Sequence, residues 1–251
     1  MLPQQTTELL HQLKLSAMAQ ALEEQRRTPD AVSLDFEDRL SLLLEREKMS
    51  RENKRLTRLL QLARLRHSAL VEDVNFRVKR GLDKSQFMRL VSCEWISQHG
   101  VLLITGPTGT GKSWLACALG HTACRSGLTV RYTRLPRLLQ ELAIARSDGS
   151  YARLLTQLAK TDLLILDDWG LAPVGDRERR DMLEMIEDRT GRRSTLITSQ
   201  VPVEHWHELI GDATFGDAIL DRIVHNAHRI TLTGGSLRKQ LGNSTPTNDH
   251  N

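Results

Sequence analysis

Apolar residues recur at helical spacing near the start of the chain and then give way to short apolar runs separated by helical stretches. Leu9, Leu10, Leu13, Met18 and Leu22 predict one helix over residues 6–27. Thr28-Pro29-Asp30 breaks it. A second pattern begins near Ser33, with Phe36, Leu40, Leu43 and Leu44 on one side. Asp35, Glu37 and Asp38 lie in its first turn, where the helix dipole favours acids. It continues without a breaker and ends near residue 70.

The remainder alternates. Strands are predicted at Val101–Thr105, Leu128–Thr133, Leu163–Leu166, Ser194–Ser199 and His228–Thr233. Helices are predicted between Gly111 and Gly127, over Pro136–Arg146, Tyr151–Lys160 and Arg177–Thr190, and over 203–210 and 216–227. Strands separated by helices imply an α/β fold, a parallel sheet covered on both faces. The expected organisation is a helical N-terminal domain (1–70), an α/β domain (71–240) and a polar, disordered tail (241–251).

Composition narrows the classes. Aromatics make up 4% of the chain, too few for an aromatic-stacking RNA module. No apolar run approaches the ~18 residues of a membrane span, and the first residues lack a signal-peptide pattern. Cys93, Cys117 and Cys124 are odd in number and lack paired zinc spacing, as expected of reduced thiols in the cytoplasm. The net charge is +4, but residues 46–66 hold eight Lys/Arg against two acids, a net +6 that leaves −2 on the remainder. A concentrated basic segment suits a polyanion partner, and a solvated helix face is the plainer alternative.

Gly106-Pro107-Thr108-Gly109-Thr110-Gly111-Lys112-Ser113 is a complete G-x-x-x-x-G-K-S loop between a strand and a helix. Its glycines let backbone N–H groups turn inward around phosphates, and the helix N-terminus adds positive potential there. Lys112 is expected to face the β/γ-phosphates of ATP, and Ser113 to offer its hydroxyl to Mg²⁺. Trp114 follows within the nucleotide-binding segment, in a turn suited to core packing. Leu163–Leu166 leads into Asp167 and Asp168, two acids at the end of a central strand, where such sheets bind ligands. Asp167 is expected to hold the metal and Asp168 to orient or deprotonate the attacking water. No LSGGQ-type signature separates the two motifs, which excludes the ABC class. The arginines from Arg177 to Arg193 alternate with acids along a helix, unlike a kinase lid.

The order of motifs resembles the AAA+ branch of helicase loaders, replication initiators and IstB-type transposition helpers, IstB most of all. The resemblance rests on GPTGTGKS (106–113), LLILDDWG (163–170), STLITSQ (194–200), AILDRIVHNAHRI (218–230), GGSLRK (234–239) and the N-terminal helices. It implies an AAA+ P-loop sheet preceded by a small all-helical domain. It implies that Thr198, Ser199 or Gln200 serves as sensor 1; relatives usually end this motif in Asn. It implies that Arg222 is an arginine finger reaching ATP on a neighbouring subunit, the alternative being a salt bridge to Asp217 or Asp221. Arg238 resembles a sensor 2 arginine. Val74, Phe76 and Arg80-Gly81-Leu82 precede the first strand, where such proteins cradle the base or pack a linker. Asp168 stands where relatives carry Glu.

The same resemblance implies an oligomeric, DNA-binding ATPase, stimulated by DNA or transposase, that assists a transposase in target DNA selection and insertion, cytoplasmic and nucleoid-associated when on DNA. Its implied partners are duplex DNA, the transposase of the same insertion element and further copies of itself, with no membrane. A replicative helicase loader and a nucleotide-gated scaffold with little turnover are the alternatives. The residues add that Lys48, Arg51, Arg55, Arg58 and Arg66 share one arc of a helical wheel, with Lys54 in the same segment, while Leu56, Leu59, Leu60 and Ala63 share another. Such a stripe meets phosphates without reading bases.

Overall fold

The computed structural model describes residues 3–28 and 34–237. The chain divides into two compact units, the first through Arg58 and the second from Leu59.

In the first unit the expected single helix over 6–27 is two: α1 (Pro3–Gln12) and α2 (Ser16–Arg27). Lys14 takes a left-handed φ of 59° and ends the first. The free amides at the start of α2 find an acceptor far along the chain, because Glu47 accepts from Ala17 N at 3.0 Å and Met18 N at 3.1 Å. Glu47 lies on α3 (Phe36–Ala63), the helix that carries the basic stripe and runs on past Arg58. Pro29, Asp30 and Ser33, the expected breaker and helix start, lie outside the described residues, as do Arg238 and the expected tail.

The second unit opens with two short helices, α4 (Lys84–Val91) and α5 (Glu94–Ser97). Five parallel strands follow: β1 (Val101–Thr105), β2 (Val130–Arg134), β3 (Leu163–Trp169), β4 (Ser194–Ser199) and β5 (His228–Thr231). Their order is β2-β3-β4-β1-β5. Between them run α6 (Lys112–Arg125), α7 (Leu135–Ser147), α8 (Tyr151–Lys160), α9 (Asp176–Arg189), α10 (Trp206–Ile210) and α11 (Ala213–Val224). The parallel α/β expectation holds, with the strand and helix ends displaced by a few residues. β4 is buried throughout and β3 nearly so, as strands covered on both faces are.

One face carries the larger apolar core, in which Leu103, Leu166 and Ile197 meet Leu138, Met182 and Ile219. Trp169 and Trp206 close it, ring centroids 5.3 Å apart. Helix α6 lies so near the sheet that a Cβ on Gly120 would come within 2.8 Å of Ile165 Cδ1 and 3.0 Å of Leu65 Cδ2. The register pairs Ile104 with Thr198, and Leu166 with Ile197. The ends of β1, β3 and β4 are therefore brought level at one edge of the sheet.

Candidate functional site

The phosphate loop leaves that edge from β1 and enters α6. Two of its glycines are required by the space around them. A Cβ on Gly106 (φ 144°) would lie 2.3 Å from the carbonyl oxygen of Leu232, and one on Gly111 (φ 95°) 2.7 Å from Arg80 Nη1. Arg80 is buried and donates to Thr110 O at 3.0 Å, bracing the loop from behind. Phe76 meets Phe87 edge-on, with centroids 5.9 Å apart. Val74 is buried, and the Arg80–Leu82 turn is tied to the chain after β5 through Thr233 N→Arg80 O at 2.8 Å. These contacts pack that segment on the α/β body.

Inside the loop, Lys112 Nζ donates to Gly106 O at 2.7 Å and Pro107 O at 2.9 Å. Burial pulls the ammonium below the ordinary lysine value, and Asp167 and Asp168 act in the opposite sense. Ser113 donates its hydroxyl to Asp167 Oδ1 at 2.9 Å, joining the start of α6 to the end of β3. Trp114 is half-buried, without the full burial of a core residue.

Asp167 is wholly buried and gathers donors from two strands and a helix. Thr198 on β4 donates to the same Oδ1, and Tyr132 on β2 donates to Oδ2. The donor set suits a magnesium ion. A hard cation takes oxygen ligands, and Mg²⁺ is usually held by one or two protein groups together with substrate phosphates. Ser113 and Asp167 supply such a pair beside the phosphate loop. Among the described residues no three His, Cys, Asp or Glu gather into an all-protein cage.

Asp168 is half-buried with a left-handed φ of 63°, at the register shift between β3 and β4. Its amide donates to Thr198 Oγ1 at 3.4 Å. Burial, then the neighbouring Asp167 carboxylate, push its carboxyl above the ordinary range, while Arg66, Arg134 and Lys112 pull it back.

The three sensor 1 candidates separate by geometry. Ser199 spends its hydroxyl on Trp169 O at 2.8 Å and accepts from Val201 N at 3.1 Å, so it serves the backbone. Thr198 points at Asp167. Gln200 is exposed and accepts from Thr108 of the phosphate loop at 2.6 Å.

Arg222 meets neither Asp217 nor Asp221. It donates to Glu187 Oε1 on α9 at 3.0 Å and to Ala218 O at 2.7 Å, while Asp217 meets His207 at 3.3 Å.

Arg66 departs from the sequence expectation. Helix α3 ends at Ala63, and Arg64 turns the chain with a φ of 51°. Arg66 therefore leaves the arc of the stripe, and its guanidinium lies 3.8 Å from Asp167 Oδ2. Lys48, Lys54, Arg55 and Arg58 remain exposed on α3. Arg51 is exposed too, and is paired with Glu47 at 2.8 Å. Neither Arg66 nor Tyr132 had a signal in the sequence: Arg64 ends the helix at a residue type that gives no warning, and only sheet order pairs β2 with β3.

A five-stranded parallel sheet with a phosphate loop after one strand and a double acid ending another defines a P-loop protein of the AAA+ class. Solved structures agree in fold: DnaI aligns with a TM-score of 0.57 at 19% identity over 66% of this chain and 92% of that one. The DnaC helicase loader aligns at 0.53 with 20% identity, over 59% and 86%. The chain belongs to the IstB-like ATP binding protein family, which matches residues 8–244. A relative from Sinorhizobium fredii, described as an insertion sequence ATP-binding protein, is 53% identical over 95% of this chain and 98% of its own length. One from Mycobacterium tuberculosis, similarly described, is 32% identical over 94% and 95%. No described helix is long and apolar enough to cross a membrane.

Proposed function

We propose that this protein binds ATP with Mg²⁺, hydrolyses it where two copies meet, and uses the assembled state to hold duplex DNA for the transposase of its insertion element. The carrying observation is the Ser113–Asp167 hydrogen bond, which places a metal-compatible oxygen pair at the mouth of a complete phosphate loop. Phosphate oxygens would replace two loop carbonyls as acceptors of the Lys112 ammonium, a charge-assisted exchange. Bound metal supplies charge neutralisation on the phosphates. Asp168 orients the attacking water, and Thr198 holds Asp167 while its hydroxyl faces the same space. Gln200 links the loop to the end of β4, and Arg222 is offered to the neighbouring subunit's phosphate.

The names of the relatives supply the insertion-element setting. The DNA half of the proposal rests on the exposed basic face of α3, with Lys48, Arg51, Lys54, Arg55 and Arg58 as contacts. The setting it implies is the bacterial cytoplasm, on the nucleoid.

Phosphate release in steady state, with and without duplex DNA, tests the reading. Turnover that rises with DNA and with protein concentration is expected. Nucleotide binding with no release above background would make the chain a nucleotide-gated scaffold. Capture of a replicative helicase with no affinity for duplex DNA would make it a loader.

A further inference from the structure

Asp167 is approached from two sides, and only one is explained by nucleotide chemistry. On the loop side, Oδ1 accepts from Ser113 and Thr198. On the far side, Oδ2 accepts from the phenol of Tyr132, and the Arg66 guanidinium lies close to the same phenol. The order of donation follows from valence. An ionised carboxylate has only acceptors, so the phenol turns its single proton toward Asp167 and leaves its oxygen lone pairs facing the donor-only guanidinium. The Arg66 guanidinium lies 3.8 Å from the same Oδ2.

We propose that Arg66 and Tyr132 form a donor relay that fixes which oxygen of Asp167 faces the metal ion, making both positioning residues for metal-assisted nucleotide binding. The inference rests on Asp167 being the metal-holding carboxylate. Without the phenol, a fully buried Oδ2 loses its hydrogen-bond donor, and the carboxylate is free to turn away from Ser113. Outer partners of this kind typically set metal affinity by ~10–100-fold. The relay also gives a role to a residue outside the phosphate loop and the double acid. Arg66 is three residues past the end of the helix that carries the basic stripe, so that helix is joined to the metal site by covalent chain.

The test uses the full chain and a fluorescent, non-hydrolysable ATP analogue, titrated in EDTA, in Mg²⁺ and in Mn²⁺, with the Mn²⁺ spin-resonance spectrum as a second readout. The wild type should gain affinity on adding metal. Tyr132→Phe should lose about tenfold of that gain and alter the Mn²⁺ spectrum, while binding in EDTA stays unchanged. Arg66→Ala should lose a smaller share, which Arg66→Lys partly restores. The double variant Tyr132→Phe/Arg66→Ala should be no worse than Tyr132→Phe, because Arg66 acts through the phenol.

A metal gain and spectrum unchanged in Tyr132→Phe would overturn the relay. If Tyr132→Phe does not fold, an unchanged metal gain in Arg66→Ala would overturn it instead; Arg66 is 43% exposed and its removal opens no core. Loss of affinity in EDTA for Arg66→Ala alone would also overturn it, and make Arg66 a direct phosphate contact. A wild type with no metal gain would instead sink the reading of Asp167 and Ser113 as metal ligands.

Discussion

Arg222 and Glu187 hold each other across α11 and α9 at 3.0 Å. Both ends are accessible to solvent, so the pair contributes only ~0.2–1 kcal/mol. The proposed finger role asks Arg222 to leave Glu187 for a triphosphate on a neighbouring copy, and a hold this weak permits it. Arg222→Ala should leave nucleotide affinity intact and cut turnover by ~10³-fold. Mixing it with Lys112→Ala should restore activity, since one partner brings a sound loop and the other a sound finger. Glu187→Gln should raise turnover severalfold at low protein concentration. Failure of the mixture to recover, in complexes shown to contain both variants, would place Arg222 outside any shared site.

Asp168 combines a left-handed backbone with a carboxyl raised by burial and by Asp167. Asp168→Asn keeps the conformation, which Asn tolerates well, and should slow turnover ~10²–10⁴-fold with binding retained. Protonation of Asp168 favours the folded state, so its contribution is full in acid and is lost as pH rises through the raised value. In the nucleotide-free protein Asp168→Asn should therefore melt higher than wild type at pH 7. That advantage should vanish as pH falls into the ordinary carboxyl range. A constant difference across an acid series of melting curves would contradict the assignment.

The same backbone bears on what the sequence disclosed. The phosphate loop and double acid were legible because their chemistry sits in consecutive residues and their strand context is apolar and short. Asp168 in place of Glu read as a departure; its φ of 63° supplies a physical reason, since Asp enters the left-handed region more easily than longer side chains. Lys14 and Arg64 also end helices with left-handed turns, at residue types that give no such warning. That is why one expected helix is two and why Arg66 leaves the basic arc for the Asp167 carboxylate. Tyr132, Glu187 and Glu47 act on residues 35, 35 and about 30 positions away, a distance over which periodicity carries no information.

Arg189 is 1% exposed and acts as a clip at the other end of the sheet. Its guanidinium donates to the carbonyls of Leu158, Thr161 and Ser194 and to the Thr195 hydroxyl. Arg189→Met fills similar volume but strands those carbonyls, each costing ~1–3 kcal/mol when left unpaired. The variant should lose on the order of 3 kcal/mol in urea unfolding, with Arg189→Lys intermediate. A midpoint equal to wild type would show that water takes over the carbonyls.

Duplex binding should fall steeply with salt, because each phosphate contact releases condensed counterions. Arg55→Ala/Arg58→Ala should weaken binding to all sequences alike and make the salt slope shallower by up to about two contacts per subunit. Arg66→Ala, by contrast, should leave that slope unchanged. A filter assay over a salt series separates the two, and an unchanged slope in the double variant would reduce the stripe to a solvated face.

Leu65 seated over Gly120 has a bearing on how the protein can be taken apart. Residues 59–70 belong to the α/β body although the first five of them continue the N-terminal helix, and Ala69 is fully buried there. A chimera that swaps N-terminal helices between relatives should be joined near Arg58. Joined at residue 71, it would bring a foreign Leu65 and Arg66 to a groove and a carboxylate shaped for these ones, and specificity would change hands together with catalysis.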